Sequence, residues 1–145
     1  MPDSQRFIAA ATVTVDAKAH DIWAVWVDVN GWKGWDAGIE SSRLNGNFKE
    51  GNTFTLKPQG ADPLEVTIKT VTQGEEFSDE TVLPFGTIRN FHRMEQVDGR
   101  VKITHEVEAT IEGDAVGFFG KEVWPHMQSG VAESLGNIAD IVGND

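Results

Sequence analysis

The chain has 145 residues, with 12 Lys and Arg against 23 Asp and Glu, a formal charge of −11 at pH 7. That length is a single-domain size that buries roughly 68–70% of the unfolded chain's surface, so one sizeable core forms without metal or disulfide staples. An acidic balance that no Lys/Arg cluster interrupts repels phosphate backbones and anionic headgroups, which disfavours nucleic acid and membrane surfaces as partners.

The absence of Cys rules out disulfides, thiolate zinc sites and cysteine nucleophiles. Residues 1–6 have no apolar stretch behind a basic start, and nothing later approaches the ~20 apolar residues of a membrane span. The expectation is a cytoplasmic protein with no membrane insertion. Five Trp and eight Phe accompany no Tyr, so a large aromatic area without phenols forms either core or the wall of an apolar cavity.

Phe7 to Val15 alternates apolar with small or polar residues and is rich in β-branched side chains, the pattern of a half-buried strand. Asp16 is placed to cap a following helix, in which Ala19, Ile22, Trp23 and Trp26 form one apolar stripe, so both Trp residues face the core. The Gly- and Asn-rich run from Asp28 to Asp36 predicts a short helical turn presenting Trp32 and Trp35, either as an aromatic lip over a cavity or as core packing.

From Ile39 to Ile111 the turn signals predict six antiparallel strands, near 39–45, 52–58, 64–73, 76–83, 86–97 and 100–111. Phe119, Val123, Met127, Val131, Leu135, Ile138 and Val142 then make one long helical stripe, interrupted by Pro125 as a kink or as the start of a second helix. No linker or repeat divides the chain, so residues 1–145 are read as a single domain.

Val97-Asp98-Gly99-Arg100 is a two-residue hairpin signal, because Asp-Gly suits the positive φ angles of a type I′ turn. Pairing Val97 with Arg100 puts Glu95 opposite Lys102 and Arg89 opposite Glu108, two opposite-charge pairs on one face. The other face pairs Ile88 with Ala109, Asn90 with Val107, His92 with His105 and Met94 with Ile103. It is mostly apolar and should point inward. Two His and one Asn on such a face cost about 1–3 kcal/mol each unless hydrogen-bonded, so each other, water or a ligand must satisfy them.

Three segments resemble one family. Val15-Asp16-Ala17-Lys18-Ala19-His20-Asp21-Ile22-Trp23 is similar to its small-residue helix start. Trp32-Lys33-Gly34-Trp35, followed by Leu44-Asn45-Gly46-Asn47-Phe48-Lys49-Glu50-Gly51, is similar to its aromatic signature. The hairpin Val97-Asp98-Gly99-Arg100-Val101-Lys102-Ile103-Thr104-His105 leads into the closing helix. With the element order β-α-α-β6-α, the chain resembles the START/Bet v 1-like (SRPBCC) superfamily and, within it, the polyketide cyclase/dehydrase-like group. The resemblance implies an α+β helix-grip fold: a curved antiparallel sheet of about seven strands wrapped around a long C-terminal helix, with an internal cavity. Fold alone does not choose between carriers, cyclases and co-chaperone-like proteins.

Three readings follow from the resemblance and the inward face together. The first is a cavity for a small hydrophobic or amphipathic molecule, lined by Trp32, Trp35, Ile88, Asn90, His92, Met94, Ile103, His105, Val107, Met127 and Val131. The second is a cyclase/aromatase- or dehydratase-like acid/base enzyme without metal or organic cofactor, using His92 and His105, with Asn90 or Arg43 orienting a carbonyl. The third is a co-chaperone-like protein-interaction domain; on each reading the protein is expected as a monomer or homodimer.

A metal on His92 and His105 would need a third ligand, Asp79 being the nearest in sequence, and no tight His/Asp spacing supports one. Asp79 faces inward if Phe77 does, and then needs a partner, His92 or His105. His20 and His126 read as exposed helical residues. Gly130 costs about 1 kcal/mol in a helix and so leaves room for a ligand or for a close sheet approach.

Overall fold

A computed structural model describes residues 3–143. Its elements run β1 (Gln5–Val15), α1 (Ala19–Val27), a 3-10 turn (Val29–Gly34), β2 (Ile39–Asn45), β3 (Thr53–Pro58), β4 (Leu64–Thr72), β5 (Glu76–Leu83), β6 (Gly86–Val97), β7 (Arg100–Ile111), α2 (Gly113–Phe118), a π turn (Phe119–Val123) and α3 (Trp124–Gly143). The strands form one antiparallel sheet in the order β1-β7-β6-β5-β4-β3-β2, so β1 closes beside β7 and the rest is a meander. This is the α+β helix-grip architecture, with α3 lying against β1 and β7.

The β6–β7 hairpin has the register that its turn dictates. Asp98 and Gly99 both have positive φ, 52° and 79°, as a type I′ turn requires. Pairs run unbroken from Val97 with Arg100 to Gly86 with Ile111, and His92 stands opposite His105. The bulges lie elsewhere, near Ile39 in β2 and Ile68 in β4. On the outer face Arg89 bridges Glu80 and Glu108 at 2.9 and 3.5 Å, Arg93 meets Glu106 at 2.7 Å, and Lys102 meets Glu95 at 3.7 Å. Such exposed pairs contribute only about 0.2–1 kcal/mol each, but they would all be lost in a one-residue slip, which would also turn the buried face outward.

At the helix ends one expectation is corrected and one open alternative is decided. Asp16 does not cap α1: the chain bends over residues 16–17, and Lys18 occupies the N-cap position without a side-chain capping bond. The helix around Pro125 is not broken, because Trp124 donates its N–H to the Phe119 carbonyl five residues back. That widened turn takes up the mismatch ahead of proline, which has no N–H and crowds the carbonyl one turn earlier. The stripe stays on one side throughout, with Phe119, Leu135, Ile138 and Val142 buried.

The interior divides into two apolar clusters. One gathers Ile22, Trp26, Trp32, Trp35, Phe54, Ile68, Phe77, Met94, Ile103, Leu135 and Ile138. The other gathers Val107, Ala109, Ile111, Phe119 and Trp124 with Phe7, Ile88 and Met127. Residues of both clusters line the space between sheet and helix. Among the described residues no helix is long and apolar enough to cross a membrane.

Candidate functional site

Strand alternation places three rows of side chains on the concave face: Phe77, Asp79 and Thr81 on β5, Ile88, Asn90 and His92 on β6, and His105 and Val107 on β7. With α3 and the 3-10 turn opposite, they enclose a cavity of about 860 Å³. Phe54, Val66, Phe119, Val123, Met127 and Val131 supply apolar wall. Gln59, Phe85, Glu122 and His126, all exposed, mark its opening.

The polar chemistry lies on the sheet floor. His92 stacks on Phe77 at 4.2 Å between centroids with 7° between planes, and it meets His105 edge-on at 4.5 Å. Trp26 caps both imidazoles at 5.5 and 5.9 Å. Trp32 and Trp35 close the ring around them, at 6.2 Å from His92 and 6.0 Å from His105 respectively. Trp32 is held by its indole N–H, which donates to the Trp26 carbonyl at 2.9 Å, while Asn137 donates to the Trp35 carbonyl at 3.1 Å.

Burial without a counter-charge sets the protonation states. Desolvation holds His92 well below the usual imidazole range, with His105 adding repulsion, and lowers His105 to about 4. Both rings are therefore neutral at pH 7. Their Nδ1 (His92) and Nε2 (His105) atoms are buried and make no hydrogen bond. Asp79, 2% exposed, is pushed up to about 7 by desolvation, which outweighs the one hydrogen bond it accepts, from Asn90 Nδ2 at 3.1 Å. Nearer the 3-10 turn, Asp36 is also raised by burial, partly offset by the N–H of Gly38, with Glu133 adding repulsion.

Of the residues picked out from sequence, the structure brings Trp32, Trp35, Ile88, Asn90, His92, His105, Val107, Met127 and Val131 together on the cavity wall. Met94 and Ile103 are corrections: they lie in the sealed core with Trp26 and Ile22, because α1 packs over that end of the sheet. Trp32 and Trp35 both pack in the core and line the cavity, so they are inner wall rather than an exposed lip. Arg43 is exposed and away from the wall, and so has no part in orienting a carbonyl there.

Asn90, expected to orient a carbonyl, donates its amide N–H to Asp79, and Asp79 is partnered by Asn90 instead of a histidine. His126, expected only as an exposed helical residue, also stands at the opening. Gly130 faces open space, with nothing within 4 Å of where a Cβ would be, so it leaves cavity volume and does not mark a close sheet approach. Thr81 and Asp36 join the lining without having been singled out. Alternation from Phe77 predicts Thr81, whereas nothing local marks Asp36.

The sequence matches, over residues 6–143, the family described as polyketide cyclase/dehydrase and lipid transport. No curated protein matches it. Among solved structures it is similar to truncated norcoclaurine synthase from Thalictrum flavum, with a TM-score of 0.73 at 11% identity over 99% of this chain and 97% of that one. It is also similar to a START superfamily protein from Mycobacterium smegmatis, with a TM-score of 0.70 at 12% identity over 93% and 99% of the two chains. Ara h 8.0201 gives a TM-score of 0.70 at 14% identity over 97% and 100%. Identities this low speak to fold, not to activity. The match over nearly the whole chain makes this protein a member of the polyketide cyclase/dehydrase and lipid transport family, with the helix-grip fold it shares with these solved structures.

Proposed function

We propose that the protein binds a small hydrophobic or amphipathic molecule between the sheet and α3. The observation that carries this reading is a cavity of about 860 Å³ with mostly apolar walls and one polar group of side chains on its floor, the composition of a small-molecule site. Family membership supports the same class of ligand. Neutral N-phenyl-1-naphthylamine tests it. Its fluorescence should rise on titration with the protein and fall back with Gly130→Leu, which fills space now open beside α3. Native mass spectrometry of the purified protein is expected to show a retained molecule. No fluorescence gain at saturating protein, together with a crystal structure showing side chains filling the cavity, would overturn the proposal.

A second reading, acid/base catalysis, is favoured by one observation: a carboxyl pushed up to about 7 shares the floor with two neutral imidazoles. On that reading His92→Ala and His105→Ala each lower turnover of a cyclisable or dehydratable substrate. Unchanged turnover would rule those two residues out as catalysts.

A further inference from the structure

Asp79 is a buried carboxyl with no cation beside it. Its one partner is the neutral amide of Asn90, and no Lys or Arg among the described residues lines the cavity. Of the acidic residues on its lining, Asp36, Asp79 and Glu122 have no cation beside them among the described residues, while Glu106 turns its carboxylate to Arg93 on the outer face. The basic side chains of the wall are three histidines. His92 and His105 are held neutral by burial, and His126 stands exposed at the opening. A buried charge is ordinarily paired, and this cavity supplies no pair of its own.

The same floor carries a second, independent signal. His92 Nδ1 and His105 Nε2 are buried polar atoms without partners, on side chains only 8% and 4% exposed that line the cavity. Each neutral imidazole carries one N–H donor and one acceptor nitrogen, and the free oxygen of Asp79 and the amide oxygen of Asn90 add acceptors close by on the same face. A carboxylic acid or phosphate ligand would bring a negative charge against Asp79. An ammonium group supplies donors to the Asp79 and Asn90 oxygens and to the acceptor nitrogen of each imidazole, while it leaves the unpartnered indole N–H of Trp35 unsatisfied, and the Trp32 and Trp35 rings beside the histidines add cation–π attraction.

We infer that the ligand is an amphipathic amine, with its ammonium group seated against Asp79, Asn90 and the two imidazoles and its apolar part lying along the wall toward Met127 and Val131. The inference rests on the cavity-binding reading and narrows it. The arriving cation supplies the missing counter-charge, so binding draws Asp79 into its ionised form.

Three probes sharing one skeleton test this: 2-(1-naphthyl)ethylamine, 2-(1-naphthyl)ethanol and 1-naphthylacetic acid, titrated calorimetrically at a pH of about 8, where the amine is charged and Asp79, raised to about 7, is mostly ionised. The expected order is amine tightest by about tenfold or more, then alcohol, then acid. Asp79→Asn should bring amine and alcohol to within about threefold of each other. An acid that binds as well as the amine, or an Asn variant that keeps the full amine preference, overturns the inference and leaves cavity binding standing. If none of the three binds, the cavity reading fails and this inference fails with it. The ranking in the unmodified protein decides the matter by itself should Asp79→Asn not fold.

Discussion

Asp79→Asn isolates the energetic consequence of burying a carboxyl without a counter-ion. The substitution keeps the side-chain shape and leaves an amide oxygen to accept the Asn90 N–H bond. In the fold Asp79 is raised from 3.8 to about 7. A carboxyl raised in this way contributes stability that is complete below the unfolded value of 3.8 and is lost as pH climbs through about 7. At 1.36 kcal/mol per unit, the full loss is on the order of 4 kcal/mol above pH 7, of which about 1.5 kcal/mol has gone by pH 5.

Urea unfolding of both proteins at about pH 5 and pH 8.5 reads this directly, since every other titrating group is shared and cancels in the difference. The advantage of the Asn variant should grow by about 2–3 kcal/mol between the two conditions. An advantage that stays flat, or that shrinks as pH rises, would refute the claim that Asp79 is buried uncompensated.

His105 carries the opposite dependence. Held at about 4 against an ordinary 6.5, it contributes stability above 6.5 that is lost as pH falls toward 4, about 3 kcal/mol in all. His105→Leu should remove that much of the acid loss relative to the unmodified protein, and superimposable acid limbs in urea titrations would show that the ring is not desolvated as described. Gly130→Ala should raise stability by about 0.5–1 kcal/mol, because its methyl group meets nothing within 4 Å and Ala favours the helix. Thermal melts check this, and a lower midpoint would mean that the space beside α3 is not open.

Local chemistry made most of the architecture legible. Asp98-Gly99 demands one kind of turn, that turn sets one register, and the register alone brings His92 opposite His105 and sorts Arg89, Glu95, Lys102 and Glu108 to the other face. The strand bounds followed in the same way, because Gly, Pro and Asn at turns act through backbone sterics that need no tertiary context.

What remained illegible depends on which elements meet in space. Met94 and Ile103 share the inward face with His92 and His105, and only the packing of α1 over that end of the sheet makes them core instead of cavity wall. Trp32 and Trp35 pose the same problem, since a side chain that is both core and wall cannot be told from either by spacing.

Alternation put Asp79 beside Phe77, yet its partner and its protonation depend on a neighbouring strand and on the absence of any cation across the cavity. The sequence by itself determined the strands, the hairpin register and the inward histidines, since each is a consequence of near-neighbour backbone geometry. The cavity, its sealed end and the uncompensated charge on its floor were decided only by tertiary structure, because volume and desolvation belong to surfaces that distant segments make together.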